Sequence, residues 1–193
     1  FGYETETFIP LDDIKVKSNK VKYIKNENIL IFTDEVIFED KKNNIVIQSP
    51  QLTYEKDKDL IYSIGKTKFY IKDKYKIKSK NVFYDRKLNN IYSDSETIIW
   101  DDEINIYKLK KKFAYNLKSE IIKSGESSII DKDNNEYFFN NLSINLKNNE
   151  IAGQELSIDY ENSFFGNINN EPVLRGRSAY SNDDELKVYK GVF

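Results

Sequence analysis

Apolar and polar residues alternate along much of this chain, the period of a strand with one face buried and the other in water. The pattern opens at Ile14-Lys15-Val16-Lys17 and continues at Val21-Lys22-Tyr23. Its longest run spans 66–80, where Phe69, Ile71, Tyr75 and Ile77 share one parity and Lys66, Lys68, Lys72, Lys74, Lys76, Lys78 and Lys80 the other. A helix would scatter those lysines around its circumference. A strand puts them on one face, so the segment reads as a strand.

The alternation also recurs as a phrase. Val21-x-Tyr23 passes through Lys25-Asn26-Glu27-Asn28 to Ile29, and Val36-x-Phe38 through Lys41-Lys42-Asn43-Asn44 to Ile45. Leu52-x-Tyr54 leads through 56–59 to Leu60, Val82-x-Tyr84 through 86–90 to Ile91, and Leu142-x-Ile144 through 147–150 to Ile151. Asn and Asp suit such turns because they tolerate left-handed backbone and bond their own main chain. Residues 119–135, with Gly125 and Asp131-Lys132-Asp133-Asn134-Asn135, read as a longer loop or hinge. The nearest helical candidate is 103–117, although Ile104-Asn105-Ile106 favours a strand there. No composition shift marks a boundary, so 1–193 is expected to be a single domain. A strand pair cannot bury its own face, so successive pairs must stack or roll over one another. The expectation is an all-β fold of short antiparallel strands: a β-solenoid, or a folded-over sheet with an apolar interior.

Composition narrows the function classes. Net charge is −2, from 30 basic and 32 acidic residues, without the basic excess of a nucleic-acid binder, so no nucleic-acid partner is expected. Arg86, Arg175 and Arg177 are the only arginines, which leaves little bidentate anion recognition. His, Cys and Met are absent, removing imidazole bases, thiolates and the usual zinc, copper and haem ligands. No catalytic residue, metal or cofactor is expected, and the chain reads as a non-enzyme. No apolar stretch approaches a membrane-spanning helix. Phe1-Gly2-Tyr3-Glu4 opens into polar sequence without a signal-peptide pattern, as in a cytosolic protein or a mature or trimmed secreted one.

Acidic clusters at Asp12-Asp13, Asp101-Asp102-Glu103 and Asp183-Asp184-Glu185 lack calcium-loop spacing and read as solvated turns, with a metal or sugar site as the alternative. The lysine face of 66–80 is either a solvated outer face or a site for anionic lipid or phosphate. Gly153, Gly166, Gly176 and Gly191 crowd the C-terminal quarter, as bulges or close backbone approaches would. The apolar parity is assigned Ile31, Phe38, Ile47, Tyr54, Tyr62, Phe69, Ile77, Tyr84 and Trp100. These residues form a packed core, or else line an acyl-chain groove, where each buried methylene is worth about 0.8 kcal/mol.

The phrase "apolar-x-Tyr/Phe, polar turn, Ile" at 18–32, 33–65 and 79–95 resembles the OstA-like repeats shared by LptA, LptC and the N-terminal periplasmic domain of LptD, the lipopolysaccharide-assembly family. Asn170-Glu171-Pro172-Val173-Leu174-Arg175-Gly176-Arg177-Ser178-Ala179-Tyr180-Ser181 and the closing Val188-Tyr189-Lys190-Gly191-Val192-Phe193 look like the LptD segment before a cysteine-containing stretch. The resemblance implies a twisted β-jelly roll, or β-taco, in the periplasm and attached to the outer membrane in the full-length protein. Phe193 would end a fragment short of the cysteine and the barrel. Lipopolysaccharide would be the cargo, its lipid A acyl chains sliding through the apolar interior with no bond made or broken. Implied partners are an LptA-like bridge protein, joined by edge-strand pairing, and the outer-membrane barrel of the same protein with LptE. A surface adhesin or carbohydrate-binding β-solenoid, with a filled core, is the alternative of a different class. A polysaccharide lyase fits the residue inventory least.

Overall fold

The computed structural model describes residues 13–71, 74–102, 105–161, 173–182 and 185–192, together with the backbone path of 2–9. Three long strands follow β1 (Gly2–Ile9): β2 (Ile14–Ile24), β3 (Ile29–Asp40) and β4 (Ile45–Glu55). Short strands come next: β5 (Leu60–Ile64), β6 (Lys66–Ile71), β7 (Tyr75–Lys80), β8 (Phe83–Asp85), β9 (Asn90–Ser93) and β10 (Thr97–Trp100). They continue as β11 (Ile106–Leu109), β12 (Phe113–Asn116), β13 (Ile121–Ser124), β14 (Ser127–Ile130), β15 (Glu136–Phe139) and β16 (Asn141–Asn145). The chain closes with β17 (Glu150–Asp159), β18 (Val173–Ser181) and β19 (Leu186–Tyr189).

Every pairing is antiparallel, and the sheet divides at β4. Residues 45–48 pair with β6, opening a first leaf that runs β6–β7–β10–β11–β14–β15 and ends on 157–159 of β17. Residues 51–55 pair with β5, opening a second leaf that runs β5–β8–β9–β12–β13–β16 and ends on 150–154 of β17. The chain therefore crosses between leaves every second strand. The alternative left open by periodicity, a solenoid or a folded-over sheet, resolves to the folded-over sheet.

Left-handed backbone makes the crease. Positive φ occurs at Asp34, Glu35, Gly65, Asn81, Lys112 and Glu155, each where a strand bends or breaks between leaves. At Gly65 (φ 89°) a side chain would be strained. Small hydroxyls satisfy the backbone groups that the bend frees. Ser63 Oγ lies 2.7 Å from Thr67 Oγ1 and accepts from Val82 N at 2.9 Å, while Ser93 Oγ donates to Lys80 O at 2.7 Å. Ser79 Oγ and Thr97 Oγ1 are 2.8 Å apart, and Ser124 Oγ donates to Lys111 O at 3.1 Å.

Opposite the crease lie the hairpin tips. Those of the second leaf begin at 25, 56, 86, 117 and 146, so the architecture repeats about every thirty residues. Each closes on a left-handed residue, Asn28, Asp59, Asn89, Glu120 or Asn149, with φ of 53–57°. The polar turns expected from sequence occupy these positions.

Two apolar ladders run through the interior. In the first leaf the register is Val16–Phe38–Ile47–Phe69–Ile77–Ile99–Tyr107–Ile129–Tyr137–Ile158. In the second it is Leu30–Tyr54–Ile61–Tyr84–Ile91–Tyr115–Ile122–Ile144–Ile151. The leaves meet face to face, Phe38 edge-on to Tyr84 at 6.4 Å between ring centroids and Phe69 against Phe113 at 5.9 Å. Burying such side chains is the main stabilising term of the fold. Gly153 marks a close approach, since a Cβ there would lie 2.1 Å from Phe139 Cδ1.

Two expectations change. Residues 66–80 are a hairpin, with Ile71 opposite Tyr75, and not one strand. The turn spans an odd number of residues and so preserves parity, which is why alternation alone reads straight through it. Residues 119–135 are not a loop but contain β13 and β14: Ser127 is buried on the inward parity, and Ser128 is buried on the outer face, where its Oγ donates to Glu136 Oε1 at 2.8 Å. Asp12, Lys72, Glu103, Ile104, Gly166, 170–172, Asp183, Asp184 and Phe193 lie outside the described residues.

Candidate functional site

A polar clasp and a cleft lie at different places along the hairpin tips. Toward the N-terminal end a polar clasp ties the tips together. Arg86, in the tip after β8, donates from Nε to Asp40 Oδ2 at 3.0 Å and from Nη1 to Asp59 Oδ1 at 2.9 Å. Asp40 ends β3 in the first leaf, so this guanidinium crosses between leaves. Tyr84 OH donates to Asp40 Oδ2 at 2.8 Å, Asn43 Nδ2 donates to the same carboxylate at 2.9 Å, and Tyr54 OH donates to Asp59 at 3.0 Å. The Asp40 side chain is 0% exposed and that of Arg86 8%.

Burial works against the Arg86 charge, but the Asp59 hydrogen bond and the charges of Asp40 and Asp59 outweigh it and raise its pKa further. Burial, reinforced by the Asp40 charge and hydrogen bond, holds the Tyr84 phenol protonated far above its usual value. Burial likewise pushes Tyr115 up to about 12, with help from Glu120.

Further along, residues of the tips and of both leaves line a cleft of about 590 Å³. Its lining is mostly polar, with Lys74, Asp101, Asn105, Asp131, Lys132, Asn145, Asn149, Ser181 and Asn182, and its apolar members are Tyr75, Tyr107, Ile144, Leu146 and Ile151. The first-leaf rim is built twice by one device, Asp-x-x-x-Asn-x-Tyr. Asp101 accepts from Asn105 N (2.9 Å), Asn105 Nδ2 (3.0 Å) and Tyr107 OH (2.8 Å). Asp131 accepts from Asn135 N (2.9 Å), Asn135 Nδ2 (2.9 Å) and Tyr137 OH (3.0 Å). Asp101 and Asp131 are thus turn-makers that orient rim tyrosines. The device was legible as two matching spacings thirty residues apart, but reading Asp101-Asp102-Glu103 as a run of charge hid it.

Among residues assigned to the apolar parity, Phe38, Ile47, Tyr54, Phe69, Ile77 and Tyr84 point inward and are buried. Phe38, Ile47, Phe69 and Ile77 form packed core, while Tyr54 and Tyr84 end in the clasp. Ile31, Tyr62 and Trp100 are half-buried on outer faces, where Phe32, Ile61 and Ile99 take the inward positions. Each of the three sits in an unbroken apolar run, so alternation could not choose its face. The outer position of Tyr62 is fixed by ring contacts with Phe83 (5.9 Å), itself stacked on Tyr92 at 5.1 Å, and that of Trp100 by Lys78 Nζ, 4.8 Å from its ring. Sequence reasoning missed Tyr75, Tyr107, Leu146 and Ile151 as cleft walls.

The titration sites set a pH profile. With no histidine, no side chain has an ordinary pKa between about 5 and 8. Unfolded tyrosines ionise near about 10, while folded Tyr84, Tyr115 and Tyr137 stay protonated above that. Their contribution is complete below about pH 10 and is lost as pH rises toward the folded values. Urea midpoints measured against pH are therefore expected to hold level near neutrality and fall above about 10. Tyr115→Phe should flatten the fall up to about 12. A fall beginning near pH 7 would contradict this assignment.

No protein-family model and no curated protein matches the sequence. Among solved structures, the chain is similar to LptH from Pseudomonas aeruginosa, described as the LptA-homologous periplasmic component of the conserved lipopolysaccharide transport device. The TM-score is 0.51 at 16% identity, over 60% of this chain and 86% of that one. At this identity the likeness is one of fold: the chain is an all-β, antiparallel jelly roll folded over on itself in the LptA manner.

Proposed function

We propose that this chain is a periplasmic lipopolysaccharide-transport module that holds acyl chains between its two leaves. The observation that carries the reading is a folded-over sheet like that of LptH whose interior meets a cleft where Tyr107, Leu146 and Ile151 stand among a mostly polar lining. Its volume falls in the roughly 300–1,000 Å³ range of ligand sites. Tails against Tyr107, Leu146 and Ile151 with polar groups at the rim suit an amphiphile. The finer assignment is the N-terminal domain of LptD, passing cargo to its own outer-membrane barrel and LptE. Strands β1 and β19 each pair on one side only among the described residues, which suits edge addition by an LptA-like bridge. Transport here is passive, and no bond is made or broken.

Photocrosslinking tests this. A benzophenone amino acid at Tyr107, Leu146 or Ile151 is expected to give lipopolysaccharide adducts, and one at Tyr62, on the outside of the second leaf, none. Absence of adducts at all four positions in folded protein would return the chain to a binding or structural β-module.

A further inference from the structure

The outer face of the first leaf carries charge that the fold does not use. Lys66 stands directly opposite Lys80, and Lys68 opposite Lys78. Like charges facing each other across strands destabilise a sheet. Among the described residues Lys66, Lys68, Lys76 and Lys80 have no ion pair or hydrogen bond. Some lysines of this protein have an acidic partner, as Lys58 with Glu55 and Lys110 with Glu126, and on this same leaf Lys108 reaches Glu136 at 3.7 Å. In a protein of net charge −2 this is a local concentration of positive charge. Beside these lysine pairs runs a row in register, Val46–Tyr70–Lys76–Trp100–Ile106–Ile130, half-buried except for the exposed Lys76, with Ile98 next to it.

We propose that this face docks on an anionic phospholipid bilayer. The lysines complement headgroup phosphates as flexible point charges, with aliphatic stems that lie along apolar surface. Tyr70 and Trp100 sit among them as amphipathic rings do at a membrane–water boundary. A free polyanion would account for the charge but not for the apolar row, and an acidic protein partner is the alternative that soluble polyglutamate tests. The face is separate from the cleft, so binding here stands or falls independently of what the interior holds.

Trp100 is the only tryptophan and reports on this face directly. Vesicles of phosphatidylcholine with phosphatidylglycerol are expected to shift its emission to the blue, and acyl-brominated lipid to quench it. Salt should reverse both effects. The quadruple change Lys66→Gln, Lys68→Gln, Lys76→Gln and Lys80→Gln is expected to weaken partitioning by roughly several hundredfold, from about fivefold per lysine. The same charge removed at Lys25, Lys56, Lys118 and Lys147, all on second-leaf tips, should cost far less. Inorganic phosphate alone should leave the emission unmoved. The proposal is overturned by no shift with anionic vesicles, an equal shift with phosphatidylcholine alone, or equal loss in the two quadruple variants. A matching shift with soluble polyglutamate would also overturn it, in favour of an acidic protein partner.

Discussion

Arg86→Ala is expected to lower the free energy of unfolding by about 3–5 kcal/mol, the usual cost of removing one partner from a buried ion pair. The variant would leave the Asp40 carboxylate with no cation in a site where its side chain is 0% exposed. Tyr84 and Asn43 would still donate to it, but neutral donors do not replace a guanidinium. Exposed pairs such as Lys20–Asp34, half in solvent, should contribute under about 1 kcal/mol when broken. Chemical denaturation of the two variants, Arg86→Ala and Lys20→Ala, reads the difference. The pair Asp40→Leu with Arg86→Met should regain most of the loss, because apolar replacements remove the stranded charge along with its partner. Equal, small effects from Arg86→Ala and Lys20→Ala would show that the clasp does not hold the leaves together.

Phe69→Ala is expected to cost about 3–5 kcal/mol, the range for an aromatic deleted from a packed core. Phe69 is 0% exposed, stands between Ile47 and Ile77 in its ladder, and meets Phe113 of the facing leaf at 5.9 Å. Removing the ring takes away contacts on both leaves, and the crease prevents them from closing on the void. Leu146→Ala, on the cleft wall, should cost about 1 kcal/mol or less, because solvent already reaches part of that side chain. The contrast between these variants, measured as urea midpoints, separates the filled part of the interior from the open part. A Phe69→Ala loss as small as that of Leu146→Ala would mean the interior is open along its whole length.

Much of this architecture is local chemistry and was legible residue by residue. Alternation identified the strands, and Asn or Asp at the close of most tips supplied the left-handed residue each turn requires. The all-β class and the inward side of Phe38, Ile47, Tyr54, Phe69, Ile77 and Tyr84 follow from that pattern. Local signals failed where both faces are apolar. In Ile29-Leu30-Ile31-Phe32, Leu60-Ile61-Tyr62 and Thr97-Ile98-Ile99-Trp100 the period vanishes, and only the opposite leaf decides which side is core. The crease was missed because a buried serine in a strand looks polar until the bend that frees its backbone partners is known. Nor could periodicity separate core from cleft, since Ile77 and Tyr107 lie in the same ladder with the same parity. That distinction is set by the packing of one leaf on the other. The clasp of Asp40, Arg86 and Asp59 is likewise non-local, and pairings 27 and 46 residues apart exist only once the sheet has folded.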